Sequence, residues 1–414
     1  MSFSASPRRN RLVFALTIIV ASVVLIALGV VYARSVPRDP FWADAVTQPP
    51  FTSLTYGIQT FLWWDESKAR LHMDWVRLMV FSHVKQIFAW KDIEPFKGEF
   101  HFARPDELLT ELEGKGLKVV ARLGDVPDWA ATNITGEKGV DFVDAPPDDL
   151  NDWANFCGIL ASRYKGRIAA YQVWNEPNLA REWGNQPPNA AGYVGLLKAC
   201  SDAIRAADPQ AVIISAGLSP TGTWTESVTP DDTFFQQMYD AGFQQYVDVA
   251  GVNAPGYNFP PEISPEEAVA QGGHRFGTFR RVEDMRRIMV ANGDAARQMA
   301  ILEMGWTQDP IHPTYAWFRV TEEQQADYFV RAYRYAAEHW RPWMGLMSAI
   351  YIPDPSWTED REEYWWSVTL GKGWMGQAFL SLANMAKYCG ERVIPERDPG
   401  SPEAMGLATV VPCT

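Results

Sequence analysis

The stretch Ala169-Ala170-Tyr171-Gln172-Val173-Trp174 is a short apolar run that passes directly into Asn175-Glu176-Pro177-Asn178. Apolar runs of this length are typical of parallel strands that are buried on both faces. A second run, Met299-Ala300-Ile301-Leu302, ends in the same way at Glu303. Both glutamates are therefore predicted at the C-terminal ends of strands, which is the face where (β/α)₈ barrels build their sites.

Strand-like and helix-like segments alternate along the chain, which predicts a parallel sheet with crossover helices. The predicted strands are Leu54–Thr60, Val84–Trp90, Leu117–Leu123, Ile168–Trp174, Ala211–Leu218, Val247–Asn253, Gln298–Leu302 and Gly345–Ile352. The predicted helices are Ser67–Phe81, Pro105–Gly114, Leu150–Tyr164, Ala190–Ala207, Thr233–Ala241, Thr278–Asn292, Glu322–His339 and Trp374–Tyr388. Right-handed connections would close these units into one α/β fold, a single (β/α)₈ TIM barrel.

An open doubly wound sheet is the rival fold. It normally carries a glycine-rich phosphate loop after its first strand, and Tyr56-Gly57-Ile58-Gln59-Thr60 is no such loop. The length of 414 residues fits one barrel with short tails, and no second domain is required.

The N-terminal segment predicts a membrane anchor. Leu12–Tyr32 carries no charge and is long enough to cross a hydrocarbon core of about 30 Å. Arg8, Arg9 and Arg11 precede it, so the N-terminus is expected in the cytoplasm and the catalytic part outside. Cleavage after Val31-Tyr32-Ala33, giving a secreted protein, is the alternative.

These features predict five parts: a basic cytoplasmic tail (1–11), a transmembrane signal-anchor (12–33), a linker (34–50), the catalytic barrel (51–395) and a C-terminal tail (396–414). A net charge of −13 argues against a nucleic acid partner, because phosphate backbones attract basic surfaces. A neutral carbohydrate suits this charge better.

The four cysteines show no Cys-x-x-Cys spacing and no partnering histidine cluster, so a zinc site is not expected. The chain has no Walker loop and no His-Glu-x-x-His motif, and no cofactor is implied. An exported location permits disulfides. Cys157 with Cys200 and Cys389 with Cys413 are the candidate pairs, and four free thiols are the alternative.

Two carboxylic acids at one barrel mouth are what glycoside cleavage requires. One acid protonates the leaving oxygen, and the other attacks the anomeric carbon or activates water. Asn-Glu-Pro after the fourth strand, with a glutamate ending the seventh, resembles the large clan of retaining glycoside hydrolases that includes cellulases, β-xylosidases and β-mannanases. The resemblance spans roughly residues 50 to 390 and implies a retaining β-glycosidase acting on a β-linked poly- or oligosaccharide.

The resemblance implies Glu303 as the nucleophile and Glu176 as the acid/base. It also implies that Asn175 contacts the sugar 2-hydroxyl, that Tyr257 hydrogen-bonds the nucleophile and that Trp90 borders a sugar subsite. Arg122 and Asp125, which end the third strand, either bind sugar hydroxyls or pair with one another.

Two further aromatic residues complete the predicted substrate site. Strand eight offers Tyr351 where the clan commonly has a tryptophan, and Trp306 is one of several tryptophans in predicted loops that suit a glycan cleft. Many members of the clan also carry a histidine near the position of Asn253.

Two other functional classes compete with a glycosidase. A barrel that binds carbohydrate or serves as a scaffold at the cell envelope would have lost catalysis, but loss of function usually removes one of the two carboxylates. A metal-dependent hydrolase needs histidines at strand ends, and only His83 lies near a predicted strand.

Overall fold

A computed structural model of the chain describes residues 14–25, 39–52, 54–370, 374–390 and 392–397. Among these, the residues from Ala43 onward form one compact unit, whose centre is a closed barrel of eight parallel strands. The barrel closes where the first strand pairs with both the second and the eighth. The predicted (β/α)₈ barrel is thus confirmed.

All eight predicted strands are present. They are β1 Thr55–Thr60, β2 His83–Ala89, β3 Lys118–Gly124, β4 Ala170–Val173, β5 Ile213–Ser215, β6 Val249–Asn253, β7 Gln298–Met304 and β8 Met344–Ala349. Strands β1, β4, β6 and β8 are one to three residues shorter than predicted, β5 is five residues shorter, β2 and β3 keep the predicted length, and β7 is two residues longer. The main helices are α1 Glu66–Leu78, α2 Ala103–Gly114, α3 Leu150–Arg163, α4 Ala190–Ala207, α5 Asp231–Asp240, α6 Arg281–Ala291, α7 Glu322–His339 and α8 Gln377–Asn384.

The predicted last helix, Trp374–Tyr388, is too long at both ends. Trp374–Met375 pairs antiparallel with Thr369–Leu370, and Lys387–Cys389 pairs with Arg392–Ile394. The backbone at both ends of the segment is therefore committed to short hairpins, which leaves only α8 helical.

The lower barrel is filled by apolar side chains that alternate along the strands. One buried cluster joins Val120, Ala170, Ile214, Val249, Ala300, Leu302 and Leu346 with Phe51, which precedes β1. Gln298 holds Phe51 in place, because its side chain accepts from the Phe51 N–H at 3.0 Å and donates to the Phe51 carbonyl at 2.9 Å. The base of the barrel is thus a packed core and not a pore.

A disulfide joins two neighbouring helices on the outside of the barrel. Cys157 on α3 and Cys200 on α4 are bonded, with their Cα atoms 5.4 Å apart, as one of the predicted pairs requires. The bond closes a loop of 43 residues, for which a disulfide typically contributes about 2–4 kcal/mol of stability. The other predicted pair includes Cys413, which lies outside the described residues.

The predicted anchor is described only in part. Residues 14–25 are helical, whereas residues 12–13 and 26–33 lie outside the described part of the chain. In the ranges that the structure describes, no helix combines the length and the apolar character that crossing a membrane requires.

Candidate active site

An open cavity of about 540 Å³ lies at the C-terminal ends of the barrel strands. Both predicted glutamates line it, as do Asn175, Arg122 and Tyr351. Residues that are separated by more than a hundred positions in sequence therefore meet at one place, as the strand ends of a barrel require.

Backbone strain next to β4 directs Glu176 into this cavity. Trp174 and Glu176 have φ values of +74° and +40°, in a left-handed region that costs non-glycine residues about 1–3 kcal/mol. Packing overcomes this cost, because the Trp174 ring is buried and its indole N–H donates to the Glu182 carbonyl at 2.9 Å. The backbone N–H of Glu176 donates to the Gly217 carbonyl at 2.9 Å, which fixes the turn against the loop after β5.

A bulge in β7 brings Glu303 to the same cavity. Ala300 and Leu302 belong to the barrel core, so strict alternation would direct Glu303 outward. The register with β6 shifts at this point, because Val252 lies opposite Ile301 whereas Asn253 lies opposite Glu303. The extra residue turns the strand end, and Glu303 faces the cavity.

Asn253 links the two carboxylates. Its side-chain amide nitrogen donates to Glu176 Oε1 at 3.0 Å and lies 3.4 Å from Glu303 Oε2. Asn253 ends β6, so it approaches both acids from one side of the cavity. An amide donor thus stands where many members of the clan carry a histidine.

Lys85 is the main partner of Glu303. Its ammonium is buried inside the barrel and donates to Glu303 Oε1 at 2.8 Å and to the Leu302 carbonyl at 3.0 Å. Burial outweighs the attraction of Glu303 and lowers the pKa of Lys85 to about 8. Burial opposes ionisation of Glu303 too, but the charges of Lys85 and Arg122 prevail and lower the pKa of Glu303 below its ordinary value.

The other glutamate contacts an arginine. Arg181 Nη2 lies 3.3 Å from Glu176 Oε2, and Arg181 belongs to a short helix, Ala180–Glu182. The next residue, Glu182, also lines the cavity, and burial raises its pKa to about 8 even though Arg122 and Arg181 lower it. The cavity therefore contains a third buried acid, which the sequence analysis missed.

Three buried amide oxygens in the cavity accept no hydrogen bond from the described residues. Gln59 Oε1, Asn175 Oδ1 and Asn253 Oδ1 are buried and have no partner among the residues that the structure describes. All three residues line the cavity. Buried acceptors rarely stay unpaired, so a ligand rich in hydroxyl groups would complement them.

Aromatic rings and further acids surround the cavity. Trp64, Trp357 and Trp366 line it together with Glu362 and Glu363. Burial, with the nearby charge of Glu363 as the next cause, raises the pKa of Glu362 to about 7. Indole faces pack against the C–H faces of sugar rings, while carboxylates accept hydrogen bonds from hydroxyls.

Tyr351 and Asp125 have defined partners in the cavity. The Tyr351 hydroxyl donates to the Glu363 carbonyl at 2.8 Å, and its ring meets Trp357 edge-to-face. Arg122 and Asp125 both line the cavity. Asp125 forms its ion pair with Lys91, at 3.3 Å, and not with Arg122 as one of the two predictions has it.

Two of the predicted sugar-binding tryptophans are structural instead. Trp90 is fully buried against Trp153 and Phe156, and its N–H donates to Glu94 at 2.6 Å. Trp306 is likewise fully buried, and its N–H donates to the Phe259 carbonyl at 2.9 Å. Both predictions were wrong because a tryptophan that follows a strand can turn back under the loops as readily as into the cavity.

The predicted contact between Tyr257 and the nucleophile is also wrong. Tyr257 lines the cavity, but its hydroxyl donates to the Pro220 carbonyl at 2.8 Å. Lys85 and Asn253 take its expected place beside Glu303. Lys85 could have been noticed as a lysine inside a predicted barrel strand, because lysine is rarely buried without a partner.

Comparison with known proteins agrees with the predicted resemblance. The model of a family described as glycosyl hydrolases family 39 matches residues 36–240, which include Asn175 and Glu176. No curated protein sequence matches the chain significantly.

Solved structures of similar fold cover most of the chain. A family 39 glycoside hydrolase from Bacteroides cellulosilyticus WH2 has a TM-score of 0.56 and 16% identity over 82% of this chain. A monomeric β-xylosidase from Caulobacter crescentus CB15 has a TM-score of 0.58 and 17% identity, over 84% of this chain and 74% of its own length. The family 39 enzyme from Xanthomonas axonopodis pv. citri has a TM-score of 0.58 and 15% identity, over 84% of this chain and 72% of its own length.

The chain spans 64% of the length of the Bacteroides protein, and the identities are low enough that these structures establish the fold alone. The family model adds the relationship in sequence. Over residues 36–240 the chain is therefore similar to glycosyl hydrolases family 39, and its closed eight-stranded parallel barrel is the fold that it shares with the solved family 39 structures.

Proposed function

We propose that the chain is a retaining β-glycosidase that hydrolyses O-glycosidic bonds of a poly- or oligosaccharide by double displacement. The observation that carries this proposal is the bridge from Asn253 to both Glu176 and Glu303. One amide nitrogen reaches two carboxylates only when they are close together. Carboxyl groups lie about 5–5.5 Å apart in retaining enzymes and about 6.5–9.5 Å apart in inverting ones, so the bridge supports retention.

In the first step, a carboxylate oxygen of Glu303 attacks the anomeric carbon. The bond from that carbon to the glycosidic oxygen breaks, and the proton of Glu176 passes to the departing oxygen. Lys85 suits this step because its charge keeps Glu303 ionised before the attack.

In the second step, Glu176 takes a proton from a water molecule, whose oxygen attacks the same carbon. The ester bond to Glu303 breaks, and the sugar leaves with its original anomeric configuration. No cofactor takes part in this scheme.

A first test uses the full-length chain with aryl β-glycosides and β-linked oligosaccharides. A β-xyloside is a sensible first probe, because one protein of similar fold is a β-xylosidase. Hydrolysis that depends on both Glu176 and Glu303 would support the proposal. Binding of these sugars without any hydrolysis would favour the inactive carbohydrate-binding barrel.

We expect Lys85→Met to shift the acidic limb of the pH–rate profile to higher pH. The nucleophile must be ionised, and Lys85 is the foremost of the groups that lower the pKa of Glu303. Without that charge, burial raises this pKa, so activity is lost at a higher pH as the solution is acidified. The measurement is kcat/KM against pH, with Lys85→Arg as the control that keeps the charge. Superimposable profiles for Lys85→Met and the wild type would contradict this role.

We also propose that the N-terminal segment anchors the enzyme with its barrel outside the cytoplasm. The disulfide between Cys157 and Cys200 supports this location, because such bonds persist in oxidising compartments. Retention of the full-length chain in alkali-washed membranes, with the barrel open to protease added from outside, is the expected result. Recovery of the chain in the cytoplasmic fraction would contradict it.

A further inference from the structure

A second cavity of about 360 Å³ lies beside the first. We name it the lateral cavity, and its walls are formed by Tyr257, Asn258, Phe259, Gln271, His274 and Trp317, with glycines completing them. Tyr257, in the loop after β6, lines both cavities and therefore lies at their boundary. The volume of the lateral cavity falls at the lower end of the range of about 300–1,000 Å³ for small-molecule sites.

The lateral cavity differs from the catalytic cavity in charge. Within the described part of the chain, no aspartate, glutamate, lysine or arginine lines it. The amides of Asn258 and Gln271 and the imidazole of His274 can donate and accept hydrogen bonds. Such a lining suits a neutral, hydroxylated ligand rather than an ion.

Trp317 is an exposed aromatic residue that lines the lateral cavity. It is 55% exposed, and its ring centroid lies 5.9 Å from that of Tyr257, with 32° between the two planes. The His274 ring stands nearly perpendicular to it at 6.3 Å. An exposed indole facing a cavity offers the flat surface against which sugar rings pack.

Other aromatic rings hold this surface in place and connect it to the catalytic cavity. Phe318 contacts Trp317 at 4.7 Å and Tyr257 at 4.9 Å. The same ring contacts Trp366, which lines the catalytic cavity, at 6.0 Å. The two cavities therefore share one continuous aromatic wall.

We propose that the lateral cavity is a further carbohydrate subsite, which binds a neutral sugar unit of the same glycan chain that Glu176 and Glu303 cleave. The inference rests on the proposed glycosidase function and deepens it. An enzyme that holds its substrate beyond the catalytic cavity acts on a polymer or a long oligosaccharide in preference to a disaccharide.

The test measures binding by calorimetry to the full-length Glu303→Gln variant, which keeps the cavity but removes the nucleophile. The probes are the disaccharides and hexasaccharides of the xylo-, cello- and manno- series. In at least one series the hexasaccharide should bind about tenfold more tightly than the disaccharide. Adding Trp317→Ala should remove that gain while disaccharide affinity falls much less.

His274→Ala is the second variant, because its side chain is exposed and its loss leaves the barrel core untouched. It should reduce the same gain in part. Phe96→Ala is the matched control, since Phe96 is 68% exposed and lines neither cavity.

A hexasaccharide gain that survives both Trp317→Ala and His274→Ala would overturn the subsite. So would the absence of such a gain in all three series. Failure of the glycosidase proposal would be seen separately, as a wild-type chain that binds these sugars but hydrolyses none of them.

Discussion

Replacing Glu303 with glutamine is expected to lower kcat on the order of 10⁵-fold or more, as loss of the nucleophile does in other covalent enzymes. The amide is nearly isosteric but cannot form the glycosyl ester. It also leaves Lys85, buried within the barrel, without its carboxylate partner. The measurement is steady-state hydrolysis of an aryl β-glycoside by the full-length variant.

Glu226→Gln is the matched control, because it makes the same chemical change on an exposed loop. Its rate should equal that of the wild type. If Glu303→Gln folds normally and retains activity within tenfold of the wild type, Glu303 is not the nucleophile.

Replacing Glu176 with glutamine is expected to lower kcat/KM by about 10²–10⁴-fold for oligosaccharides, which is the usual contribution of a general acid. The loss should depend on the leaving group. A 2,4-dinitrophenyl glycoside needs no proton to depart, so its first step should be nearly spared while its second step becomes slow. A burst of dinitrophenol followed by a slow steady state is the expected time course.

The control uses a second variant, Glu176→Ala, to which the small nucleophile azide is added. In Glu176→Ala it fits the vacated space and needs no general base, so it should restore turnover and yield a glycosyl azide. An equal loss of rate for good and poor leaving groups would show that Glu176 does not protonate the leaving oxygen.

The strands could be predicted because most of them are short, mainly apolar runs that alternate with helix-like segments. Their ends were less predictable. Ile168–Trp174 was predicted as one strand, but only Ala170–Val173 pairs regularly, since Trp174 adopts a left-handed backbone to direct Glu176 into the cavity. That departure depends on the packing of the Trp174 ring, which local sequence does not reveal.

The two glutamates could be predicted because each ends such a run. Their partners could not. Lys85 reaches Glu303 only because the barrel closes, and the bulge that directs Glu303 inward appears only in the pairing of β7 with its neighbours. Trp90 and Trp306 were predicted to contact the sugar but are buried in the protein. A motif places a residue near a strand end but does not fix the direction of its side chain.

The anomeric configuration of the first product tests the central claim most directly. The full-length chain would hydrolyse the β-linked substrate that it cleaves best, and proton NMR would follow the new reducing end before mutarotation sets in. Double displacement through Glu303 predicts that the β anomer appears first. Initial release of the α anomer would mean that water attacks the sugar directly, and would contradict the covalent role of Glu303.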